Sequence, residues 1–342
     1  MKIIYSPRHQ RHATNLRIPG CPFEYNEVPA RAEVIREAVL KAGLGPLQGP
    51  EDHGLAPILA VHDAAFVEYL KTAYQITRSR YEGTHPVLAD TYAVRLGRHR
   101  PAGAAGLVGY YAFDIACPIL EGTWTAAYQS AQVALTAAEF VRQGEPTAYA
   151  LCRPPGHHAS TNLHGGFCYL NNAAIAARAL QGKTQDRVAI IDIDYHHGNG
   201  TQEIFYRDPT VLVCSLHADP DADYPYYWGG ADERGEGPAV GCNRNWPLPL
   251  GTDDDRYLSA LDEALGVVHA FRPRYLVVSV GFDLMQDDPV PLGEGFRISP
   301  HGLHMIGHLL ASLDLPTVLV QEGGYHVPRL GEYATIFLKE FA

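Results

Sequence analysis

Four short apolar runs end in polar residues that hold the side chains able to do chemistry. In IIDIDYHHGNG (190–200), Asp192, Asp194 and His196 alternate along the chain. An extended backbone turns all three to one side. Two carboxylates and an imidazole on one side repel or stay poorly solvated unless a cation sits among them. A divalent ion resolves the conflict, and zinc accepts both imidazole nitrogen and carboxylate oxygen. A catalytic zinc normally keeps three protein ligands and one open position. The apolar run Val277–Val280 leads through Gly281 to Asp283, which offers the third ligand. The expected set is therefore Asp194, His196 and Asp283, one zinc per chain, with Asp192 behind it. Asp287 and Asp288, further along, are expected to be solvated or to cap. Gly198 and Gly200 let the backbone turn sharply after the histidines.

The segment CRPPGHHAS (152–160) places His157 and His158 after another apolar run. Histidine titrates near neutrality and is the natural proton shuttle. Asp192 and Asn199 are available to orient the pair through their other ring nitrogens. In QEGGYHVP (321–328), two glycines allow a close approach of Tyr325, whose phenol is a neutral donor for a developing oxyanion.

These clusters need elements to hold them. Short apolar runs read as buried strands at Ile3–Tyr5, Ala148–Cys152, Val188–Ile193, Val211–Ser215, Tyr275–Val280 and Thr317–Val320. Helical patterns lie between them at Arg31–Ala42, Ala126–Gln143, Ala173–Leu180, Asp254–Phe271 and Pro300–Ser312. Alternating strand and helix predicts a three-layer α/β/α domain with a central, mostly parallel sheet. Ligands in such folds collect at the carboxyl edge of the sheet. Five strand ends carry polar residues, namely Arg153–His158, Asp192–His197, His217–Asp219, Asp283 and Glu322–Tyr325, so one domain spanning 1–342 is expected. Residues 81–123, rich in Gly, Ala and Pro, read as a long loop or insertion at the site's mouth or at a contact between copies.

Composition narrows the function. The 342 residues carry a formal net charge of −11, which argues against sequence-independent nucleic-acid binding. No apolar run approaches the length of about 18 residues needed to span a membrane, and the amino terminus does not read as a signal peptide. The six cysteines form no CxxC and suit a reducing compartment. A cytoplasmic enzyme is expected.

Taken together, RPPGHHA (153–159), GGFCYLNNAA (165–174), DIDYHHGNGTQ (192–202), SLH (215–217), GFD (281–283) and EGGY (322–325) resemble the zinc-dependent histone deacetylase family of the arginase/deacetylase superfamily. The stretch 106–135 resembles its acetylpolyamine amidohydrolase branch. The resemblance implies zinc on Asp194, His196 and Asp283. It implies His158 as general base, His157 as its partner held by Asp192, and Tyr325 as the carbonyl-polarising donor. Gly166 and Phe167 would line a substrate tunnel, with Tyr224 or Tyr226 as the second aromatic wall. The family's potassium sites would fall at Asp192, Asp194, His196, Ser215 and Leu216, and near Phe205, Asp208 and Val211. Asn199 stands where other branches carry aspartate, so His158 should keep a lower pKa.

The implied substrate is a small acylated amine, an acetylated polyamine above all. The implied assembly is a homodimer or higher homo-oligomer. The loop is thin in acids, however: between Gly83 and Trp124 only Asp90, Asp114 and Glu121 occur, beside Arg95, Arg98 and Arg100. Asp219, Asp221 and Asp223 could supply charge instead. The alternatives are a protein acetyl-lysine deacetylase, a dimanganese arginase-like ureohydrolase and a non-catalytic binder of acetylated ligands.

Overall fold

The computed structural model describes residues 1–13, 25–78, 86–93, 99–291 and 293–342. Cys21, Arg95 and Arg98 lie outside them, as do parts of the 81–123 segment.

The strands are β1 (Lys2–Ile4), β2 (Leu47–Gln48), β3 (Thr147–Ala150), β4 (Val188–Asp192), β5 (Val211–Ala218), β6 (Asn243–Leu248), β7 (Tyr275–Val280) and β8 (Thr317–Gln321). They form one eight-stranded sheet in the order β2-β1-β3-β8-β7-β4-β5-β6. Every pairing is parallel. The helices are α1 (Ala30–Lys41), α2 (Ala56–Leu59), α3 (Ala64–Arg78), α4 (Ala104–Tyr110), α5 (Thr123–Arg142), α6 (Asn172–Gln181), α7 (Asn199–Phe205), α8 (Asp254–Phe271), α9 (Pro300–Ala311) and α10 (Val327–Leu338).

The central strands are buried on both faces, so their side chains divide between two cores. Val188 and Ile190 join α3, α5 and α6 on one side, through Phe66, Ala131 and Ile175 among others. Ala189 and Ile191 join α1, α8, α9 and α10 on the other, through Ile35, Leu261, Ile306 and Phe337. This is the three-layer α/β/α architecture with a parallel sheet that the sequence predicts. Among the described residues, no helix is long and apolar enough to cross a membrane.

The strand order does more than close the core. β3, β8, β7, β4 and β5 are consecutive neighbours. They are the five strands whose carboxyl ends carry the polar clusters, so the sheet gathers those clusters at one edge.

Several elements depart from the sequence reading. The edge strands β2 and β6 were not expected, because Leu47–Gln48 is too short and NRNWPL (243–248) too polar to read as buried. Cys152 and Ile193 lie just past their strands, whereas β5 runs on to Ala218. The 81–123 segment is not uniformly loop: it contains α4, and α5 begins at Thr123. The small residues AAG in α4 give no helical stripe to read.

Candidate active site

β4 ends at Asp192, and the chain then crosses the sheet edge as Ile193–His197 before entering α7. Asp194 and Asp283 are fully buried and His196 nearly so. Ligand atoms from Asp194, His196 and Asp283 all lie within 4.8 Å of one another. The His196 Nδ1 stands 3.1 Å from Asp283 Oδ2 and 3.4 Å from Asp194 Oδ1. The other oxygen of each carboxylate accepts from a backbone amide. Gly323 N–H donates to Asp194 Oδ2 at 2.8 Å, and Tyr195 N–H to Asp283 Oδ1 at 3.1 Å. A side chain at Gly281 or Gly323 would strike these carboxylates, so both glycines are required by close approach.

The electrostatics call for a cation. Burial and the neighbouring Asp194 push Asp283 up to about 6. Asp194, against its burial, is held far below the usual carboxylate range by His157 and His196. Burial would lower His196, but Asp194 and Asp283 push it up to about 10. Two carboxylates competing for one imidazole proton are a donor set that fits a divalent ion with nitrogen and oxygen preference. A second buried trio, His157, Cys168 and Glu322, also has ligand atoms within 4.8 Å. It fits a metal less well. Burial pushes the Cys168 thiol well above its usual range, His157 Nδ1 is engaged with Asp192, and one Glu322 oxygen accepts from two backbone amides.

The paired histidines sit beside the Asp–His–Asp cluster, ring centres 4.0 Å apart, on the loop that follows β3. Their partners differ. His157 Nδ1 lies 3.0 Å from Asp192 Oδ2, and His158 Nδ1 lies 2.7 Å from Asn199 Oδ1. A carboxamide oxygen can only accept, so Nδ1 of His158 carries the hydrogen and Nε2 is left as the basic nitrogen. Burial, then the charge on His157 and His196, push His158 well below the usual imidazole range. Burial also acts to lower His157, but Asp194 and Asp192 outweigh it and push that ring up to about 10. One imidazole is thus kept neutral and its neighbour charged, which separates a base from an acid.

Tyr325 is nearly buried and follows β8. Phe167 faces it at 5.6 Å between ring centres, and Tyr224 stands edge-on to His158 at 5.1 Å. Gly166 and Phe167 both have left-handed backbones, with φ of 55° and 69°. Of the two tyrosines left open by the sequence, Tyr224 reaches the histidines, whereas Tyr226 is 45% exposed. Asp192 and Ser215 are register partners across β4 and β5, with Leu216 next along. Phe205 ends α7 and Val211 begins β5. Between them, Asp208 gives its carboxylate to Arg178 and to Thr210, both at 2.5 Å.

Several supporting residues were not assigned a role from the sequence. Glu322 accepts from Gly156 N–H at 2.6 Å and His157 N–H at 3.1 Å, fixing the turn into the histidine pair. Arg153 donates to the carbonyls of His9 and His12 and pairs with Glu27, tying the same turn to the amino-terminal segment. Of the two expectations for Asp288, solvated or capping, it meets the second: it accepts from the amides of Tyr325 and His326 at 2.6 and 3.2 Å, just ahead of α10. Arg153 and Glu322 stand inside RPPGHH and EGGY, so adjacency was the available signal. Arg31, which packs on Tyr325, is remote in sequence and gave none.

Two unlike histidines and a phenol beside a cluster whose donors fit a divalent ion are arranged as a deacetylase-type hydrolase would need them. Residues 25–341 match the histone deacetylase domain, and the chain belongs to that family. It is 45% identical to acetylpolyamine amidohydrolase 1 of Pseudomonas aeruginosa, covering 100% of this chain and 99% of the relative. It is 37% identical to the acetylpolyamine amidohydrolase of Mycoplana ramosa, with 100% of both chains covered. The solved acetylpolyamine aminohydrolase of Burkholderia pseudomallei superposes with a TM-score of 0.93 at 41% identity, covering 100% of this chain and 98% of that one.

Proposed function

We propose that this chain is a zinc-dependent amidohydrolase that removes the acetyl group from a small acetylated polyamine or a related acylated amine. The observation that carries this reading is the unequal pair His157–Asp192 and His158–Asn199 set against Asp194, His196 and Asp283. Full-length similarity to acetylpolyamine amidohydrolases supports the substrate class.

Asp194, His196 and Asp283 would hold the zinc, whose chemistry when bound is to polarise the amide carbonyl and acidify water. His158, kept neutral, takes the proton from the attacking water through Nε2. The Tyr325 hydroxyl donates to the carbonyl oxygen as negative charge gathers there. His157, held by Asp192, stabilises that charge, and the proton that His158 took passes from its Nε2 to the leaving amine. Burial of all three groups excludes bulk water, which strengthens each interaction. The potassium reading rests on the family resemblance and on the adjacency of Asp192, Ser215 and Leu216. At the second site the Asp208 carboxylate is already committed, so backbone carbonyls would have to supply the ligands.

The test is acetate release by zinc-loaded protein from a panel running from short N-acetylated diamines to acetyl-lysine peptides. Fastest turnover of the diamines supports the proposal. Preference for the peptides favours a protein deacetylase. Urea release from guanidino compounds with two metals per chain favours a ureohydrolase. No hydrolysis at stoichiometric zinc contradicts an enzyme of this class.

A further inference from the structure

The segment following α4 runs beside the Gly166–Phe167 wall. Phe113 N–H donates to the His164 carbonyl at 3.1 Å, and the Phe113 ring fills the space a side chain at Gly165 would need. The next residue, Asp114, is one of the few acids of this loop. It does not turn outward to meet a cation. Its Oδ2 accepts from the Tyr224 hydroxyl at 2.6 Å and from Gly166 N–H at 2.8 Å, while Oδ1 accepts from Ala116 N–H at 2.9 Å. Burial raises its pKa and these three bonds oppose the rise.

One carboxylate oxygen therefore touches both aromatic walls. Through Tyr224 it fixes the ring that stands against His158. Through Gly166 it holds the left-handed pair that presents Phe167 to Tyr325. A non-glycine residue at positive φ persists only where its surroundings hold it, and Asp114 supplies one of those holds. Both contacts are charge-assisted, the stronger class of hydrogen bond. The Tyr224 hydroxyl donates to this carboxylate at 2.6 Å.

We infer that Asp114 is a specificity-determining positioning residue: it braces Tyr224 and Gly166 against each other and so sets the width of the acyl-amine channel. The inference rests on the amidohydrolase reading above and deepens it. Selection of a thin substrate then comes from a braced aromatic gap rather than from acids lining the mouth.

The test compares kcat/KM for an N-acetylated diamine with that for an acetyl-lysine peptide in zinc-loaded wild type, Asp114→Ala, Tyr224→Phe and the double variant. The diamine-to-peptide ratio should fall about tenfold in Asp114→Ala, carried by a higher KM for the diamine with kcat held within about threefold. Tyr224→Phe should shift the ratio the same way, and the double variant should fall no further than Asp114→Ala. Equal loss on both substrates, or effects that multiply, would overturn the inference and leave Asp114 a folding residue only. Should Asp114→Ala fail to fold, Tyr224→Phe, which removes one oxygen, decides alone: an unchanged ratio overturns it. Wild type inactive on every acylated amine sinks the amidohydrolase reading and this inference together, whereas active wild type with unmoved ratios sinks this inference alone.

Discussion

The Arg31 guanidinium lies 4.4 Å from the centre of the Tyr325 ring. The same group donates to the carbonyls of Gly324 at 2.5 Å and Glu322 at 2.7 Å, and pairs with Glu27 at 3.0 Å. A residue of α1 thus fixes the backbone on which the phenol is mounted, and offers its ring a cation face.

Arg31→Met should therefore lower kcat for amide hydrolysis by about tenfold to a hundredfold while leaving zinc stoichiometry unchanged. It should also cost about 3 kcal/mol of stability, because a buried ion pair is broken and the Gly324 and Glu322 carbonyls each lose a bond from Arg31. Steady-state kinetics, metal analysis and denaturant unfolding check it. Loss of zinc in parallel with activity would place Arg31 in the metal cluster's support instead.

The carboxamide of Asn199 leaves His158 without a stabilising anion on its Nδ1 side. As a base His158 must be neutral, so activity rises as pH climbs through its pKa. Asn199→Asp puts a carboxylate at the 2.7 Å contact and should raise that pKa by about one to three units. The acid limb of the kcat/KM profile should move to higher pH by the same amount. A profile that stays in place would assign the base elsewhere.

His157 is pushed up to about 10, above its unfolded value, so its proton stabilises the folded state. That contribution is fully present below about pH 6.5 and is lost as pH rises through about 10. Asp192→Asn removes one of the three carboxylates responsible and should destabilise by about 1–3 kcal/mol at pH 6. The gap between variant and wild type should close as pH approaches 10. Thermal unfolding of the metal-free proteins at pH 6, 8 and 10 reads the difference. A constant gap across that range would show that the bond, not the proton, is what matters.

The site was more legible in the sequence than its supports. Asp192, Asp194 and His196 share one side because an extended segment alternates, and that pattern survives any tertiary arrangement. The apolar runs of β4, β7 and β8 read as strands because burial on both faces leaves no polar alternation to confuse them. The polar β6 is an edge strand whose polar residues are tolerated there, so it left no such trace. Arg31, Glu27, Asp288 and Asp114 act across long sequence separations. Their roles depend on which carbonyl, amide or hydroxyl the fold delivers to them, and spacing does not encode that. Asp114 shows the difference most plainly: in the sequence it is one of three acids in a loop thin in acids, and the fold turns it onto Tyr224 and Gly166.

The proposed hydrolysis requires the metal to be held by Asp194, His196 and Asp283. Zinc K-edge X-ray absorption on protein reconstituted with one equivalent tests this most directly. The expected shell contains nitrogen and oxygen only, at about 2.0–2.2 Å, and is lost in Asp194→Ala. A sulfur scatterer at about 2.3 Å would place the ion with Cys168, His157 and Glu322 and contradict it.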